Sequence, residues 1–292
     1  MTAAPTLSTL RPTISLGRRI KNRVMLGLCV VATLIALAIL VWIFVYVIAQ
    51  GARFVSVSFF TQLPAPVGES GGGFLNALVG TGIMVGVASA MSIPIGVFAG
   101  IYLSEFGTGG FARIVRFVND SLNATPSIVA GLFAYTLIVL ETHRFSAFAG
   151  SVALAVLMIP TIARTTEEIL RLVPRTLREG ALALGVPEWR MTLQIVLPAA
   201  LPGVVTGIML AVARVSGETA ALLFTAFNNR FLSVALDQPM SSIPVQVYTY
   251  AVAPYDDWHH QAWAGALVLV TLVAIFSAAV RVATRSRHRS IV

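Results

Sequence analysis

The chain contains little charge and almost no cysteine. Only 11% of its 292 residues are charged, whereas 57% are hydrophobic and the mean hydropathy is +0.85. Soluble domains carry roughly 25% charged residues, so the composition excludes an ordinary soluble protein and indicates an integral membrane protein. The one cysteine, Cys29, excludes a disulfide within a single chain and a cysteine-based metal site.

Groups for metal binding, catalysis and nucleotide binding are also sparse. A metal site needs three or four converging ligands, and only His259 and His260, beside two aspartates, approach such a spacing. Neither a metal nor another cofactor is therefore predicted, and a membrane-embedded enzyme would lack a catalytic cluster. The chain has no Gly-x-x-x-x-Gly-Lys-Ser/Thr phosphate loop, so ATP chemistry would have to come from another polypeptide.

The net charge of +8 is unevenly distributed along the chain. Basic clusters flank the apolar segments on one side, and the other side carries only Arg53, Arg144 and Arg230. This asymmetry follows the positive-inside rule, so it indicates membrane topology rather than nucleic-acid binding, with both termini and the long central loop cytoplasmic. The clusters are Arg11, Arg18, Arg19, Lys21 and Arg23; Arg113 and Arg116; Arg164, Arg171, Arg175, Arg178 and Arg190; and Arg281, Arg285, Arg287 and Arg289.

Six apolar segments are long enough to cross a bilayer, which takes about 20 residues in a helix. An even number of spans agrees with two cytoplasmic termini. The predicted fold class is therefore an all-α integral membrane protein with six transmembrane helices. The predicted spans are Val24–Ile48, Asn76–Leu103, Val115–Leu140, Phe145–Ala163, Ala199–Phe227 and Gln261–Val280.

Two polar segments are predicted on the external side. Residues 50–75 contain prolines and three consecutive glycines, which predict irregular chain. In residues 228–260, part of the chain near residues 243–252 either lies on the bilayer or dips into it, and the pattern leaves both open. The aromatic residues of that segment are typical of a membrane interface: Tyr248, Tyr250, Tyr255 and Trp258.

A polar, arginine-rich loop of about 35 residues separates the fourth and fifth spans, although a plain turn needs only a few residues. Its start, at Thr165 and Glu168, matches a helix capping box. Pro174 then predicts a bend in that helix.

The rest of this loop is predicted to form two short helices. Residues 175–184 favour a helix, Gly185 can take the positive φ that ends one, and Pro187 suits the first turn of the next. The whole loop, residues 165–198, is thus a knob of helix, tight turn and helix. Such a knob fits a groove on a partner protein.

Two charges of opposite sign fall inside the fifth predicted span. Arg214 and Glu218 are four residues apart, which on a helix places them on one face about 6 Å apart. A charge near the bilayer centre costs ~2.5–3.5 kcal/mol, so the pair either fixes helix packing or lines a path for an anion, which arginine binds well. Asp120, in the third span, either pairs with Arg116 or lines the inner end of such a path.

The central loop resembles the EAA loop, with which the permeases of bacterial ABC importers dock on their ATPase. That loop reads Glu-Ala-Ala, three residues, Gly, nine residues, Ile-x-Leu-Pro. Every anchor matches except Gly180, where the family prefers alanine. The resemblance implies that a separate ATPase binds ATP and Mg²⁺. The anchor positions are Glu179, Gly180, Ala181, Gly185, Ile195, Leu197 and Pro198.

The segment Arg214–Leu223 is similar to Arg-x-x-Gly-Glu-Thr-Ala-Pro-Leu-Leu, a signature of bacterial phosphate permeases, with Ala221 in place of the proline. Residues 71–81, 126–133 and 164–168 agree with the same family. The resemblance covers about residues 70–283. It implies an A-type permease of a phosphate-specific importer, with a type I (MetI-like) permease bundle and a cytoplasmic coupling helix.

This resemblance implies roles for charged residues and a set of partners. Arg214 and Glu218 match the family's functional arginine and glutamate, and Arg164 matches a second arginine near the inner end of the pathway, where Asp120 is a further candidate. We expect Arg214 and Glu218 to pair at rest and phosphate to compete for Arg214, so that the pair acts as a gate. The implied partners are a C-type phosphate permease as heterodimer, a dimer of ATPase subunits, an external phosphate-binding protein and the lipid bilayer of a bacterial inner membrane, with no nucleic acid.

The predicted domain order is a cytoplasmic segment at 1–23, the first span and external segment at 24–70, the permease domain at 71–283 and a cytoplasmic tail at 284–292. Two alternative functions stay open. One is a permease for another oxyanion, molybdate or sulfate. The other is a proton-coupled anion carrier that uses the intramembrane charges as a relay, although a carrier of that kind does not need the docking loop.

Overall fold

The computed structural model describes the backbone of residues 16–288 and the side chains of residues 16–282. In these residues the regular structure is helical, apart from an isolated β-bridge between Pro64 and Gly72. The predicted all-α class is therefore confirmed. The predicted terminal segments 1–23 and 284–292 lie partly outside the described residues.

The helices range from single turns to membrane-length rods. Three π-helical segments interrupt them, at Tyr102–Phe106, Tyr135–Val139 and Thr192–Val196, and a 3₁₀ turn follows the first helix at Ala52–Phe54. In chain order the α-helices are α1 Leu16–Gly51, α2 Val57–Thr61, α3 Leu75–Ile101, α4 Gly110–Ala124, α5 Ser127–Ala134, α6 Leu140–Thr142, α7 Ala147–Arg171, α8 Arg175–Ala183, α9 Glu188–Met191, α10 Leu197–Ser216, α11 Ala220–Leu223, α12 Ile243–Ala251 and α13 Asp256–His288.

Five continuous helical runs of the described chain are long and apolar enough to cross a membrane. A further pair of helical runs, Gly110–Ala124 and Ser127–Thr142, passes the same test only when taken together and meets at an angle of 105°, as in a broken span or a re-entrant loop. With this bent pair taken as one span, the predicted number of six is confirmed. The continuous runs are Leu16–Phe54, Leu75–Phe106, Ala147–Arg171, Glu188–Ser216 and Asp256–Val282.

The third predicted span, Val115–Leu140, is wrong as a continuous helix. α4 ends at Ala124, and Thr125 takes an extended conformation with φ −70° and ψ 131°. The next residue is Pro126, which stands at the N-cap of α5. A residue before proline disfavours the helical region, and proline donates no backbone hydrogen bond, so the helix breaks at this step.

The fifth predicted span, Ala199–Phe227, lies too far along the chain. The observed helical run extends from Glu188 to Ser216, and Gly217 ends it at φ −96° and ψ 5°. Glycine is a poor helix former, so the run stops there and a separate short helix, α11, follows. Glu218 therefore lies outside the helix that carries Arg214, which changes the interpretation of the predicted site.

The described chain divides into two compact units, with the boundary between Ala49 and Gln50. The first contains nearly all of α1, an apolar helix that includes the first predicted span, Val24–Ile48. The second contains the remaining helices. All of the candidate site residues belong to this second unit.

Small residues let α3 and α7 pack closely in the second unit. A Cβ added at Gly96 would lie 2.7 Å from the Cβ of Ile162, and one at Gly100 would lie 2.5 Å from the Cβ of Thr166. Contacts of this kind allow two helix backbones to approach each other in a membrane. They make α3 and α7 the central helix pair of this unit.

An apolar core lies at that end of the second unit which is predicted to face the external side. Ile243 and Val245 of α12 are buried, so this segment packs inside the protein instead of lying on the bilayer surface. Tyr250, predicted as an interfacial aromatic, is also buried. Its ring stacks on Trp258 at a centroid distance of 4.5 Å and meets Phe74 edge-on at 5.4 Å.

Candidate functional site

The central loop folds as two short helices joined at a glycine. α8 ends in a Schellman motif, in which the N–H of Val186 donates to the carbonyl of Ala181 at 3.1 Å and that of Gly185 donates to Leu182 at 2.9 Å. Gly185 has φ +78°, which a residue with a side chain adopts only with strain. The predicted helix and tight turn are confirmed. The second helix, α9, has Pro187 at its N-cap and is not a separate short helix, because the helical run that it begins continues to Ser216.

The start of this loop differs from the prediction. Thr165 is not a helix cap, because α7 continues without interruption to Arg171. Its hydroxyl donates instead to the carbonyl of Thr161, four residues earlier, at 2.9 Å, as hydroxyls inside helices commonly do. α7 then ends, and α8 begins after Pro174, which occupies its N-cap position. The chain therefore breaks here and does not bend as one helix.

Residues 175–191, α8 and α9 with the turn between them, are called the coupling element below. Large apolar side chains are exposed on its surface. Leu184 is 85% exposed, and Leu177, Leu182 and Trp189 are also exposed. Exposed apolar side chains that cluster together mark interaction surfaces. The coupling element therefore offers a partner protein an apolar face.

The predicted docking anchors divide between the surface and the interior. The interior anchors pack with Leu170 and Val196 into a small apolar core beneath the coupling element, so they hold the knob in position. The surface anchors are free to do so. Exposed are Glu179, Gly180, Gly185 and Pro198, whereas Ala181 is buried and Ile195 and Leu197 are partly buried.

Arg178, which the sequence analysis did not single out, joins the coupling element to the end of α3. Its Nε and Nη2 donate to Oε2 and Oε1 of Glu105 at 3.0 and 2.9 Å. Its Nη1 donates to the carbonyl of Val173 at 2.5 Å, and Nη2 also donates to that of Leu170 at 2.8 Å. The Arg178 and Glu105 side chains are only 18% and 6% exposed. The one sequence signal was an acidic residue at the end of an apolar span, and it does not identify a partner 73 residues away.

A second ionic cluster lies where α4 contacts α7. Arg116 donates its Nε to Oε1 of Glu167 at 2.8 Å, and Arg171 lies 2.5 Å from the same oxygen. The predicted pairing of Arg116 with Asp120 is therefore wrong. The Glu167 side chain is 3% exposed and that of Asp120 is 61% exposed. A buried carboxylate needs a cationic partner far more than an exposed one.

Of the predicted path residues, the structure brings Arg164 and Asp120 together, with Arg164 Nη1 3.6 Å from Asp120 Oδ1. Glu168 lies on the other side of the guanidinium, with Oε1 2.6 Å from Nε. All three side chains are exposed. Exposed ion pairs are weak, so Arg164 remains accessible to another anion.

Arg214 and Glu218 do not form the predicted pair. Arg214 is exposed in the last turn of α10, and within the described part of the chain its side chain forms no hydrogen bond or ion pair. Glu218 lies past the helix end, where its backbone N–H donates to Val215 at 3.0 Å. The predicted ion pair at rest is absent because α10 ends between the two residues.

An apolar groove of 470 Å³ lies between α3, α10 and α13. Its polar lining groups include the hydroxyls of Thr81, Ser89 and Ser216, and no charged side chain of the described residues lines it. Paths for anions are lined by cationic side chains or hydrogen-bond donors. The groove is therefore a poor candidate for an anion path.

Comparison with known proteins places this arrangement in a family. Residues 92–289 match the family described as "Binding-protein-dependent transport system inner membrane component". The chain is 43% identical over 266 residues to the "Phosphate transport system permease protein PstA" of Yersinia pestis, which covers 91% of this chain and 90% of the relative. It is 47% identical over 258 residues to the protein of the same name from Haemophilus influenzae, at 88% and 91% coverage.

The fold also resembles a chain of a solved transporter, described as "Inward facing conformations of the MetNI methionine ABC transporter". The TM-score is 0.59 at 19% sequence identity, over 75% of this chain and 96% of that one. This likeness concerns the fold alone and confirms the predicted fold class of an ABC importer permease. Because the family match covers more than half of the chain and the relatives exceed 40% identity over about 90% of it, the chain belongs to the binding-protein-dependent transport system inner membrane components, and within them to the PstA permeases.

Proposed function

We propose that this chain is a transmembrane permease subunit of an ATP-driven importer that moves inorganic phosphate into a bacterial cell. The observation that carries the proposal is the coupling element, a short helix and a tight turn with exposed leucines that lead into the candidate span Glu188–Ser216. A permease driven by a separate ATPase needs such a knob, whereas a proton-coupled carrier does not. The choice of phosphate rests on the relatives named phosphate transport system permeases and on the Arg214–Leu223 segment.

The coupling element docks on the ATPase dimer, which binds ATP and Mg²⁺. Leu184 and Trp189 supply apolar contact area, and Glu179 adds a charge at the exposed face. Two short helices inserted into a groove of a partner follow a common mode of recognition. The chain itself acts as a transport subunit and performs no hydrolysis.

The anion path runs between this chain and a second permease, a C-type phosphate permease, and an external phosphate-binding protein delivers the anion. Arg214 contacts phosphate, since its guanidinium is exposed, has no partner among the described residues and suits bidentate binding of an oxyanion. Glu218 borders the path beyond the end of α10. Arg164 and Asp120 stand at its inner end, where phosphate competes with two exposed carboxylates for Arg164.

The test is uptake of labelled phosphate into liposomes that contain this chain with the C-type permease, the ATPase and the binding protein. We expect uptake with ATP and none without it, and none from liposomes that lack this chain. Excess sulfate or molybdate should not compete. ATP-dependent uptake of molybdate or sulfate in place of phosphate would refute the substrate, and uptake that is independent of ATP would refute the importer mechanism.

A further inference from the structure

The Arg178 side chain connects three segments of the protein. The guanidinium of arginine has five N–H donors; in Arg178, Nε and Nη2 donate to Glu105, and Nη1 and Nη2 donate to backbone carbonyls at the end of α7. Those carbonyls lie in the last turn of a helix or just past it, where few intrahelical donors remain, and that of Leu170 also accepts from the N–H of Val173 at 3.2 Å. Arg178 therefore adds donors to these carbonyls while it pairs with Glu105 in a bidentate geometry.

Glu105 belongs to the π-helical segment Tyr102–Phe106, which continues α3. Short π-helical stretches depart from the regular helical hydrogen-bond ladder and are frequent at functional sites. A second arginine contacts this end of α3, because Arg116 of α4 donates to the carbonyls of Leu103 at 2.6 Å and Gly107 at 3.1 Å. The end of α3 is thus bonded to the coupling element through Arg178 and to α4 through Arg116.

The exposed and buried faces of α8 are suited to different tasks. Leu177 and Leu182 are exposed on α8, whereas the Arg178 side chain is only 18% exposed and is bonded to Glu105. Apolar packing, as around Ala181, is non-directional and allows a helix to slide. A bidentate pair has a fixed geometry, so a displacement of α8 must either displace Glu105 or break the pair.

We propose that the Arg178–Glu105 pair is the link through which movement of the coupling element reaches α3. This inference rests on the proposed docking of an ATPase on the coupling element. Arg178 and Glu105 are positioning residues, since neither side chain contacts phosphate or ATP. Closure of the ATPase displaces α8, the pair moves the π-helical end of α3, and the Arg116 contacts carry that movement to α4, next to the Arg164–Asp120 pair.

The experiment measures phosphate uptake per ATP hydrolysed in the complete reconstituted importer. Arg178→Lys keeps the charge and loses the bidentate geometry, and Glu105→Gln keeps the shape and loses the charge. Both should retain ATPase co-purification and hydrolysis, while uptake per ATP falls about tenfold, a change typical of a lost coupling between sites. Arg113→Lys is the matched control, because Arg113 is exposed on α4 and lies outside the coupling element, and it should leave the ratio unchanged.

Two outcomes would overturn the link. An unchanged ratio in both single variants would show that movement reaches α3 by another route. Uptake that falls only in proportion to ATPase co-purification would show that the pair merely holds the coupling element in place. If Arg178→Lys does not assemble, Glu105→Asp, which keeps the charge but shortens the reach, decides between the same outcomes. Absence of ATP-dependent uptake by the unaltered complex would instead refute the proposed function, and with it this link.

Discussion

Gly180 lies inside α8 and Gly185 in the turn that follows it, and both have open space around them. A Cβ added at either would have no neighbour within 4 Å, but only Gly185 has a positive φ, at +78°. We expect Gly185→Ala to destabilise the coupling element by about 1 kcal/mol, because a left-handed conformation is strained in a residue with a side chain. Gly180→Ala should stabilise it by about 0.5–1 kcal/mol, because alanine is the better helix former. Thermal unfolding of the solubilised protein measures both.

The pair of variants is its own control, since each adds one methyl group to the same element. Equal shifts in Tm would contradict this explanation, because they would mean that steric crowding by the added methyl group, and not backbone conformation, determines the change in stability. A Gly185→Ala protein with normal stability and normal ATPase co-purification would show that the coupling element does not depend on a glycine in the Schellman turn.

Arg214 is expected to be the most sensitive single position for transport. Arg214→Gln should lower phosphate uptake by about tenfold or more, the effect of losing a hydrogen bond to a charged group, while assembly and ATPase binding persist. Phosphate uptake with Arg214→Lys should lie between that of the unaltered protein and that of Arg214→Gln, because an ammonium binds an oxyanion without the bidentate geometry. Arg113→Gln, an exposed arginine of α4, is the matched control. Uptake that survives Arg214→Gln in a well-expressed complex would exclude Arg214 from the anion path.

Single residues were predictable from the sequence where the chemistry is local. The positive φ of Gly185 follows from its spacing after a helix, and Pro187 marks the next one. Partners in ion pairs were not predictable, because spacing favours Arg116 with Asp120 whereas burial assigns Arg116 to Glu167. Only the tertiary structure shows which carboxylate is buried from solvent and therefore needs a cationic partner.

At the scale of elements, close contact between α3 and α7 gives a clear difference between two glycines of one helix. A Cβ at Gly100 would lie 2.5 Å from Thr166 Cβ and 2.7 Å from the carbonyl oxygen of Ala163, whereas one at Gly86 would meet nothing within 4 Å. Gly100→Ala should therefore destabilise the protein by about 1–3 kcal/mol through overpacking. Gly86→Ala should instead stabilise it by about 0.5–1 kcal/mol, as predicted for Gly180→Ala, because alanine is the better helix former.

Thermal unfolding in detergent tests this difference, with uptake as a second measurement. Because Gly100 lies two residues before the π-helical segment that begins at Tyr102, Gly100→Ala should also reduce transport. A stable Gly100→Ala protein would mean that α3 and α7 separate more easily than the structure indicates.

Span number and approximate position were predictable because twenty-residue apolar runs dominate the chain. Their ends were not, because apolar composition continues through residues that break helices. Pro126 interrupts one predicted span at 105°, and Gly217 ends another before Glu218. The capping box at Thr165 failed for the opposite reason, since α7 continues through a sequence that also suits a helix start.

At the scale of the whole molecule, the basic residues of the described chain predict which end faces the cytoplasm. The coupling element lies at the arginine-rich end, and the 228–240 segment lies at the other. In a Cys29→Ser background, a cysteine at Phe231, which is 76% exposed, should react with a membrane-impermeant maleimide in spheroplasts. A cysteine at Leu184 should react only after permeabilisation. The reverse pattern would invert the topology and place the coupling element where no ATPase can reach it.

The same two cysteines test docking, because a partner that covers the coupling element must shield Leu184. In permeabilised membranes, added ATPase subunits should slow the labelling of Leu184→Cys by about tenfold or more, as expected for a side chain buried at the centre of an interface, and leave Phe231→Cys unaffected. An ATPase variant that cannot bind the permease should leave the labelling rate of Leu184→Cys unchanged. Labelling of Leu184→Cys that is indifferent to the ATPase would contradict the docking surface, because the most exposed leucine of the knob would then lie outside the contact that transmits ATP-driven movement to the membrane helices.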